Sequence, residues 1–279
     1  MSFEGSSSAA LAEQRVDARG VLAVRRRAGR TRIERLVQEG AAKIRLPESA
    51  GDPLEAVLIN TAGGLTGGDR LSWTVSVGDE AHAMLTTQAC EKLYRSSGGE
   101  AASTITLDVG AGASLAWLPQ ETIQYNGSAF RRTIVANLAP GARCLLVEAT
   151  LFGRLAMGES VERGLFRDRW RVFSGGHLVH AEDFALGPDV SSRLAGLATT
   201  GGATAIATVL ALRDDVEDLV DPARAIIGDR GGASAWRIGE TGKFLARIIA
   251  EDGYGLRRRL VPLLQMLNGS AGLPKVWSI

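Results

Sequence analysis

VGDEAHAMLTTQ (Val77–Gln88) is the stretch that decides the fold, because the chain repeats it as VGAGASLAWLPQ (Val109–Gln120) and, more weakly, as LAPGARCLLVEA (Leu138–Ala149). Each copy is a turn of small residues followed by a strand-like run. The equivalent alanines lie 32 and then 29 residues apart: Ala81, Ala113 and Ala142. Such a period is typical of stacked supersecondary units, although V-G-x-x-A can also recur by chance in a chain rich in alanine and glycine. We therefore predict a mainly β fold with a β-helix-like, solenoid-type body of stacked strands.

Alternation along these strands assigns one face of the stack, because alternate residues of an extended chain share a face. That face is mainly apolar, and in the three copies it carries Ala83, Leu85 and Thr87; Leu115, Trp117 and Pro119; Cys144, Leu146 and Glu148. Glu121 joins the same face if the second strand continues past Pro119. Burying a carboxylate without a partner is costly. We therefore expect Glu121 and Glu148 either to pair with arginines or to line a wet passage.

The glycine-rich run NTAGGLTGGDRL (Asn60–Leu71) separates two strand-like runs, EAVLIN and LSWTVSV. A P-loop requires Lys and then Ser or Thr directly after its last glycine, whereas Asp69 and Arg70 follow Gly68 here. The dinucleotide-binding fingerprint also fails, because no G-x-G precedes a helical pattern. The run is therefore interpreted as a strand-connecting turn, or as a loop that presents Asp69 for a function.

The sequence carries no motif of a catalytic site or a permanent metal site: CxxC, HExxH and the G-x-S-x-G elbow are all missing. RDRWRVFSGGHLVHAEDFAL predicts a hairpin that turns at two glycines, and on a strand His177 and His180 point to opposite faces, which disfavours chelation. These observations favour a binding or scaffold protein over an enzyme. The competing enzyme interpretation pairs Asp69 and Glu121 as the acid and base of a β-helical glycoside hydrolase, and an aromatic content of 5% argues against it.

The composition is that of an ordinary globular protein, with 279 residues, 45% of them hydrophobic, and a net charge of +1. We therefore expect no general attraction to nucleic acid or to an anionic membrane. Two cysteines, Cys90 and Cys144, indicate reduced thiols in the cytoplasm. The N-terminal residues lack the apolar core of a signal peptide, so residues 1–20 are predicted to be a disordered tail and 21–279 a single domain.

The last third of the chain predicts a small helical part. RDDVEDLVDPARAII has acids early and Arg224 late, as suits a helix dipole. GLRRRLVPLLQMLNG has leucines at helical spacing and ends at Gly269. The final GLPKVWSI is an apolar tail with a tryptophan, Trp277, which we expect to dock on the body of the protein or on a partner.

Several of these motifs match one family in order. GGLTGGDRL, LTTQACEKLYRS, GAGASLAWLPQETIQYNGSAFRR, GRLAMGE with ERGLFRDRW, and GLPKVW together resemble the urease accessory protein UreD family, called UreH in some organisms. The resemblance covers the chain from the region of Val21 to the C terminus. One departure is NTAGG, where relatives often carry prolines before the glycines, and it concerns turn conformation only. The neighbourhood of Gln120 and Tyr125 varies among relatives, so no role is transferred to these two residues.

The resemblance implies a non-catalytic metallochaperone component, mostly β, with a small helical part. Members of the family bind UreF, which recruits the GTPase UreG, and the assembly docks on apo-urease. Nickel released by the GTPase then passes through a tunnel in UreF and UreD to the urease active site. The implied partners are therefore UreF, UreG and apo-urease, with no permanently bound cofactor and with nickel in transit.

A nickel passage needs donors that bind weakly. Nickel(II) accepts imidazole, carboxylate, carbonyl and water ligands, and a closed cage would retain it, whereas single carboxylates along a wet path exchange it. The candidates are Asp69, Glu121 and Glu159, which lie in family-like motifs, and Glu148, which rests on strand alternation alone. Each could instead be a salt bridge or a turn cap. A β-solenoid scaffold without metal transfer is the remaining alternative.

Overall fold

Seventeen β-strands account for most of the regular structure in the computed structural model, which describes residues 15–47 and 51–278. The strands in chain order are β1 (Asp17–Arg27), β2 (Arg30–Glu39), β3 (Ala42–Arg45), β4 (Leu54–Asn60), β5 (Arg70–Val77), β6 (His82–Thr87), β7 (Glu91–Leu93), β8 (Ala101–Val109), β9 (Ser114–Leu118), β10 (Thr122–Gln124), β11 (Ala129–Leu138), β12 (Arg143–Phe152), β13 (Leu165–Ser174), β14 (His177–Leu186), β15 (Ala205–Leu212), β16 (Gly231–Ile238) and β17 (Thr241–Ala250).

The strands form two facing sheets, and in the repeated part of the chain each coil contributes strands to both of them. The first sheet has the order β14-β13-β11-β8-β5-β1-β2, and the second has the order β16-β17-β15-β12-β9-β6-β4-β3. In the first sheet the four inner pairs are parallel and the two outermost pairs are antiparallel. In the second sheet the pairs β12-β9, β9-β6 and β6-β4 are parallel, whereas β4-β3 and the successive pairs β12-β15, β15-β17 and β17-β16 are antiparallel. The short strands β7 and β10 pair with each other and β10 also pairs with β12, which makes a narrow ribbon along one edge of the stack. This architecture confirms the predicted solenoid-type body.

The predicted repeat is the spacing of the coils. Ala83 pairs with Leu115, and Leu115 pairs with Cys144, so neighbouring strands are offset by the same 32 and 29 residues that separate the sequence copies. The residue before each equivalent alanine turns the chain with a positive φ: Glu80 (56°), Gly112 (62°) and Gly141 (73°). Glycine adopts this conformation without steric cost, which explains why small turn residues mark the repeat.

The main apolar core lies between the two sheets. It contains the predicted inward face, including Ala83, Leu85, Leu115, Trp117 and Leu146, all of them buried. A second apolar layer lies on the other side of the second sheet, where helices and the C-terminal segment cover it. Each inner strand of the second sheet is therefore covered on both faces, as is typical of parallel strands.

In the part of the chain that the structure describes, three α-helices interrupt or follow the strands: α1 (Val190–Ala195), α2 (Val220–Ile227) and α3 (Gly253–Asn268). Helix α3 begins after Asp252, whose carboxylate accepts a hydrogen bond from the Gly255 amide at 2.7 Å. The leucines predicted at helical spacing are all buried against the second sheet. None of the helices in the described residues is both long and apolar enough to cross a membrane.

The predictions for the two ends of the chain have different outcomes. The tail predicted for residues 1–20 falls mostly outside the described residues, but strand β1 begins at Asp17, so residues 17–20 belong to the sheet instead. At the other end the tail docks on the body of the protein. The Trp277 ring is 3% exposed, and its indole N–H donates to the backbone oxygen of Leu118 at 3.0 Å.

Candidate functional site: a buried charge cluster beside an inter-sheet cavity

Three charged side chains point into the core from neighbouring coils. Arg132 lies on β11, Glu148 on β12 and Asp168 on β13, and each is at most 7% exposed. Each occupies an inward position in an alternating strand, among side chains such as Phe130 and Trp170 that are apolar and buried. We call these three residues the Arg132 cluster.

The cluster is held by charge-assisted hydrogen bonds. The Arg132 guanidinium donates to both carboxylate oxygens of Asp168, at 3.0 and 2.5 Å, and also to Glu148. Each carboxylate also accepts a hydrogen bond from an indole N–H group: Trp117 donates to Glu148 at 3.0 Å, and Trp170 donates to Asp168 at 2.9 Å. Such bidentate pairing holds the guanidinium and the carboxylate in a defined relative orientation and also strengthens their interaction.

The cluster contains one more carboxylate than it has cations. Burial raises the pKa of Glu148 to about 7, against the attraction of Arg132, and the nearby charge of Asp168 raises it further. Burial alone would lower the pKa of Arg132, but the two carboxylates outweigh it and keep the guanidinium charged. Burial therefore makes the Glu148 carboxyl less acidic than an ordinary glutamate in spite of its contact with Arg132.

A cavity of about 340 Å³ reaches this cluster from the surface. It lies where β13 and β14 of the first sheet separate from β12, β15 and β17 of the second. Glu148, Thr150 and Asp168 line its inner part, and exposed residues at the end of α1, including Arg193, line its rim. The buried charge is thus adjacent to space that can hold water and ions.

Glu121 was expected on the inward face with Glu148 only if the strand continued past Pro119, and the structure does not meet that condition. Strand β9 ends at Leu118, and β10 begins at Thr122, so the alternation does not continue across Pro119. Glu121 instead pairs with Arg257 of α3, with oxygen–nitrogen distances of 2.7 and 3.0 Å. Burial opposes its ionisation, but the hydrogen bonds and charge of Arg257 outweigh it and lower the pKa of Glu121. The Cys90 thiol also donates to this carboxylate, at 3.4 Å.

Asp69 closes the glycine-rich loop. Its two carboxylate oxygens accept hydrogen bonds from the backbone amides of Val16, at 2.9 Å, and Thr66, at 2.7 Å. The loop is therefore a strand-connecting turn, as predicted, and Asp69 caps it. The charge of Asp69 also acts on Glu91, whose carboxylate accepts from the Asn60 amide at 3.1 and 3.3 Å.

Ionisation of the Glu91 carboxyl should lower the free energy of unfolding as the pH rises. Burial raises the pKa of Glu91 to about 7, and the charge of Asp69 adds to the effect. Because this folded-state pKa lies above the ordinary value of 4.5, the folded state holds the extra proton between these pH values, and its stability declines across them. We expect Glu91→Gln to match the wild type near pH 5. At pH 8 it should be more stable by at most about 3 kcal/mol, and by less to the extent that solvent screens this half-buried group.

The measurement is thermal unfolding of both proteins across this pH range. Glu217→Gln, at an exposed position of the same chain, controls for the substitution itself. Parallel pH profiles for Glu91→Gln and the wild type would contradict a proton held on Glu91.

The remaining candidates are also paired. Glu159 accepts from Arg154 at 2.5 Å and from the Asn126 amide at 3.4 Å. His177 is exposed while His180 is buried, so the two histidines form no chelating pair. Among the described residues, the four predicted carboxylates share no hydrogen-bonding partner, and no three His, Cys, Asp or Glu side chains form a group that could hold a metal ion.

Sequence reasoning missed Arg132 and Asp168, although a signal was present. The alternation used for the three repeat copies also applies to AFRRTIVANL and LFRDRWRVFS. It puts the cation Arg132 on the apolar face of the first strand and the acid Asp168 on the apolar face of the second. Extending the alternation to β11 and β13 would therefore have predicted a cation and an acid on the inward face, although their contact with Glu148 depends on how the coils stack.

Comparison with known proteins identifies the family. The model for "UreD urease accessory protein" matches residues 16–278. The chain is 58% identical over 251 residues to the urease accessory protein UreD of Mesorhizobium japonicum, covering 90% of each chain. It is 56% identical over 269 residues to the urease accessory protein UreD 1 of Brucella abortus, covering 96% of each chain. The chain therefore belongs to the UreD family of urease accessory proteins.

Proposed function

We propose that this protein is a non-catalytic component of a nickel-delivery assembly. It would act with UreF and, through UreF, with the GTPase UreG, and it would pass nickel to apo-urease through the inter-sheet cavity. The observation that carries the passage is the contact between that cavity and the Arg132 cluster. The family relationship supports the role in urease maturation.

The cluster has the electrostatics that a transient cation site requires. The cavity is lined by the carboxylates of Glu148, Asp168 and Glu182 and by the guanidinium groups of Arg193 and Arg247. A divalent cation that reaches its inner part favours the ionised form of Glu148. Because Arg132 pairs with Asp168 through two hydrogen bonds, Glu148 can turn toward the cavity while the guanidinium remains compensated. A site with one available carboxylate and several waters binds nickel weakly enough to release it.

Asp69, Glu121 and Glu159 are weaker candidates for the same path. Each already has its own structural partners: two backbone amides for Asp69, Arg257 for Glu121 and Arg154 for Glu159. The pairing of Glu121 with Arg257 also disfavours the hydrolase interpretation, in which one of the two carboxyl groups must remain protonated as a general acid. Glu148 is therefore the residue on which the proposal depends.

The decisive experiment compares nickel content with assembly. Apo-urease is matured with UreF, UreG and either the wild-type chain or Glu148→Gln, and metal is measured by mass spectrometry. We expect Glu148→Gln to assemble normally in a pull-down and to keep its melting temperature, because Arg132 retains Asp168. Nickel per urease should fall several-fold, because the site loses its exchangeable charge.

Glu217→Gln makes the same chemical change at an exposed position and should load urease fully. Full loading with Glu148→Gln would remove the cavity from the path. Normal assembly combined with full loading by all variants would favour a scaffold that holds the complex together without transferring metal.

A further inference from the structure

A second cavity lies at the end of the second sheet, where strands β6, β9 and β12 begin and helix α3 ends. Its volume is about 470 Å³, which is larger than that of the inter-sheet cavity. Ala116, Leu145 and Ala211 give it an apolar floor, and residues 268–271 form one wall. We call it the α3-end cavity. Its size and apolar lining are typical of small-molecule sites.

Three polar side chains lie in a row along this cavity. Ser114 is the register partner of both His82 and Arg143, so the three residues occupy equivalent positions of three successive coils. Each is the first residue of its strand. Two residues further along, the same face is apolar and belongs to the layer that α3 covers: Met84, Ala116 and Leu145. The row therefore begins where the cover of α3 ends, and it is open to the cavity.

Two members of the row have donors that a ligand can use. His82 is held by two contacts: its Nδ1 lies 2.9 Å from the Ser114 hydroxyl, and its backbone amide donates to the Thr31 hydroxyl at 2.9 Å. Because Nδ1 is used, Nε2 is the ring nitrogen that can meet a ligand. Arg143 is exposed, and its guanidinium makes no hydrogen bond or ion pair among the described residues, although its charge acts on Asp215.

The acceptors at the cavity, in contrast, already have donors. One Asp52 oxygen accepts from the backbone amide of Thr31 at 3.0 Å, and the other accepts from Arg26 at 2.5 Å. The backbone oxygen of Leu267, near the end of α3, accepts from Arg213 at 3.0 Å. A lining with available donors and occupied acceptors selects a ligand that is rich in acceptors.

The charges around the cavity leave one cation uncompensated. Arg213 lines the cavity but pairs with Asp215 at 2.6 Å. Burial opposes the ionisation of Asp52, but hydrogen bonding and the charge of Arg26 outweigh it and lower the pKa of Asp52. Both acids therefore have their own arginine, and Arg143 is the charge that remains. A local positive excess favours an anion.

We propose that the α3-end cavity binds a small organic anion. Its carboxylate or phosphate head would lie over Ser114, between Arg143 and His82, and its apolar body would lie on the floor of the cavity. A guanidinium donates two parallel hydrogen bonds to either head group. The α3-end cavity shares no lining residue with the inter-sheet cavity, so the inference does not depend on nickel transfer.

The test is ligand-observed NMR with the full chain, purified alone or with its co-expressed partner. The probes are 4-phenylbutyrate and phenyl phosphate, which combine an apolar ring with the two head groups, and the neutral reference is 4-phenylbutanol. Arg143→Gln removes the uncompensated cation. Ser270→Trp places a large ring at an exposed position of the rim and keeps every charge. The matched control, Arg95→Gln, removes the same charge from an exposed position elsewhere.

We expect both anions to bind more tightly than the alcohol, and the tighter of the two identifies the head group. Arg143→Gln should weaken the anions about tenfold and leave the alcohol unchanged. Ser270→Trp should weaken all three probes, whereas Arg95→Gln should weaken none. The melting temperature of Arg143→Gln should stay that of the wild type, because the side chain has no hydrogen-bonding partner among the described residues.

Any of three results would overturn the inference. Neither anion could bind, or the alcohol could bind as tightly as the anions, which would mean that the row does not select charge. Arg95→Gln could also weaken the anions as much as Arg143→Gln, which would indicate nonspecific attraction to surface arginines.

Discussion

Replacing Arg132 with methionine is expected to lower the free energy of unfolding by about 3–5 kcal/mol, the loss typical of a buried ion pair that keeps only its acids. The substitution leaves Glu148 and Asp168 in the core with only the two indole donors, Trp117 and Trp170. A loss of this size is a large fraction of the stability of an ordinary domain. Thermal or urea unfolding of the purified chain, or of its complex, measures it.

Glu148→Gln is the matched comparison, since it removes a carboxylate from the same cluster without orphaning the guanidinium. It should change stability far less than Arg132→Met. The double variant Arg132→Met with Glu148→Gln should recover part of the loss, because one carboxylate then remains in place of two. Equal stability of Arg132→Met and the wild type would mean that water in the adjacent cavity solvates both carboxylates, and the cluster would then have no structural role.

Trp277→Ala is expected to cost about 3–5 kcal/mol, the usual range for removing a buried aromatic side chain. The ring belongs to the apolar layer between the second sheet and the helices, and it lies 5.4 Å from the Arg257 guanidinium. The substitution also removes the donor to the Leu118 oxygen. Because Arg257 pairs with Glu121, the loss should extend to the contact between α3 and β10.

Trp236→Ala provides the control within the same chain. Trp236 is 39% exposed on the edge strand β16, where it stacks on Lys243 at 4.7 Å. Its removal should cost about 1 kcal/mol, as for a partly exposed cation–π pair. Similar losses for the two variants in a thermal unfolding series would contradict a structural role for the docked C-terminal segment, and a loss of partner binding with unchanged stability would place Trp277 in an interface.

The sequence by itself determined the coil spacing and the inward face. Both follow from local chemistry: small residues permit the tight turns, and alternation sorts apolar side chains to one side of each strand. The offsets of 32 and 29 residues therefore reappear as the strand register. The buried leucines of α3 and the Gly175–Gly176 hairpin are local patterns of the same kind.

Only the tertiary structure decided which charges meet. Arg132 and Asp168 are 36 residues apart, and Glu121 and Arg257 are 136 residues apart. Such pairings depend on how coils stack and on which helix covers which sheet. The interruption at Pro119, which ends β9 and moves Glu121 to the helix side, also breaks the alternation on which its prediction relied. Alternation continues only while the backbone stays extended, so it assigns faces within a strand, whereas ion pairs and cavities depend on contacts between strands that are distant in sequence.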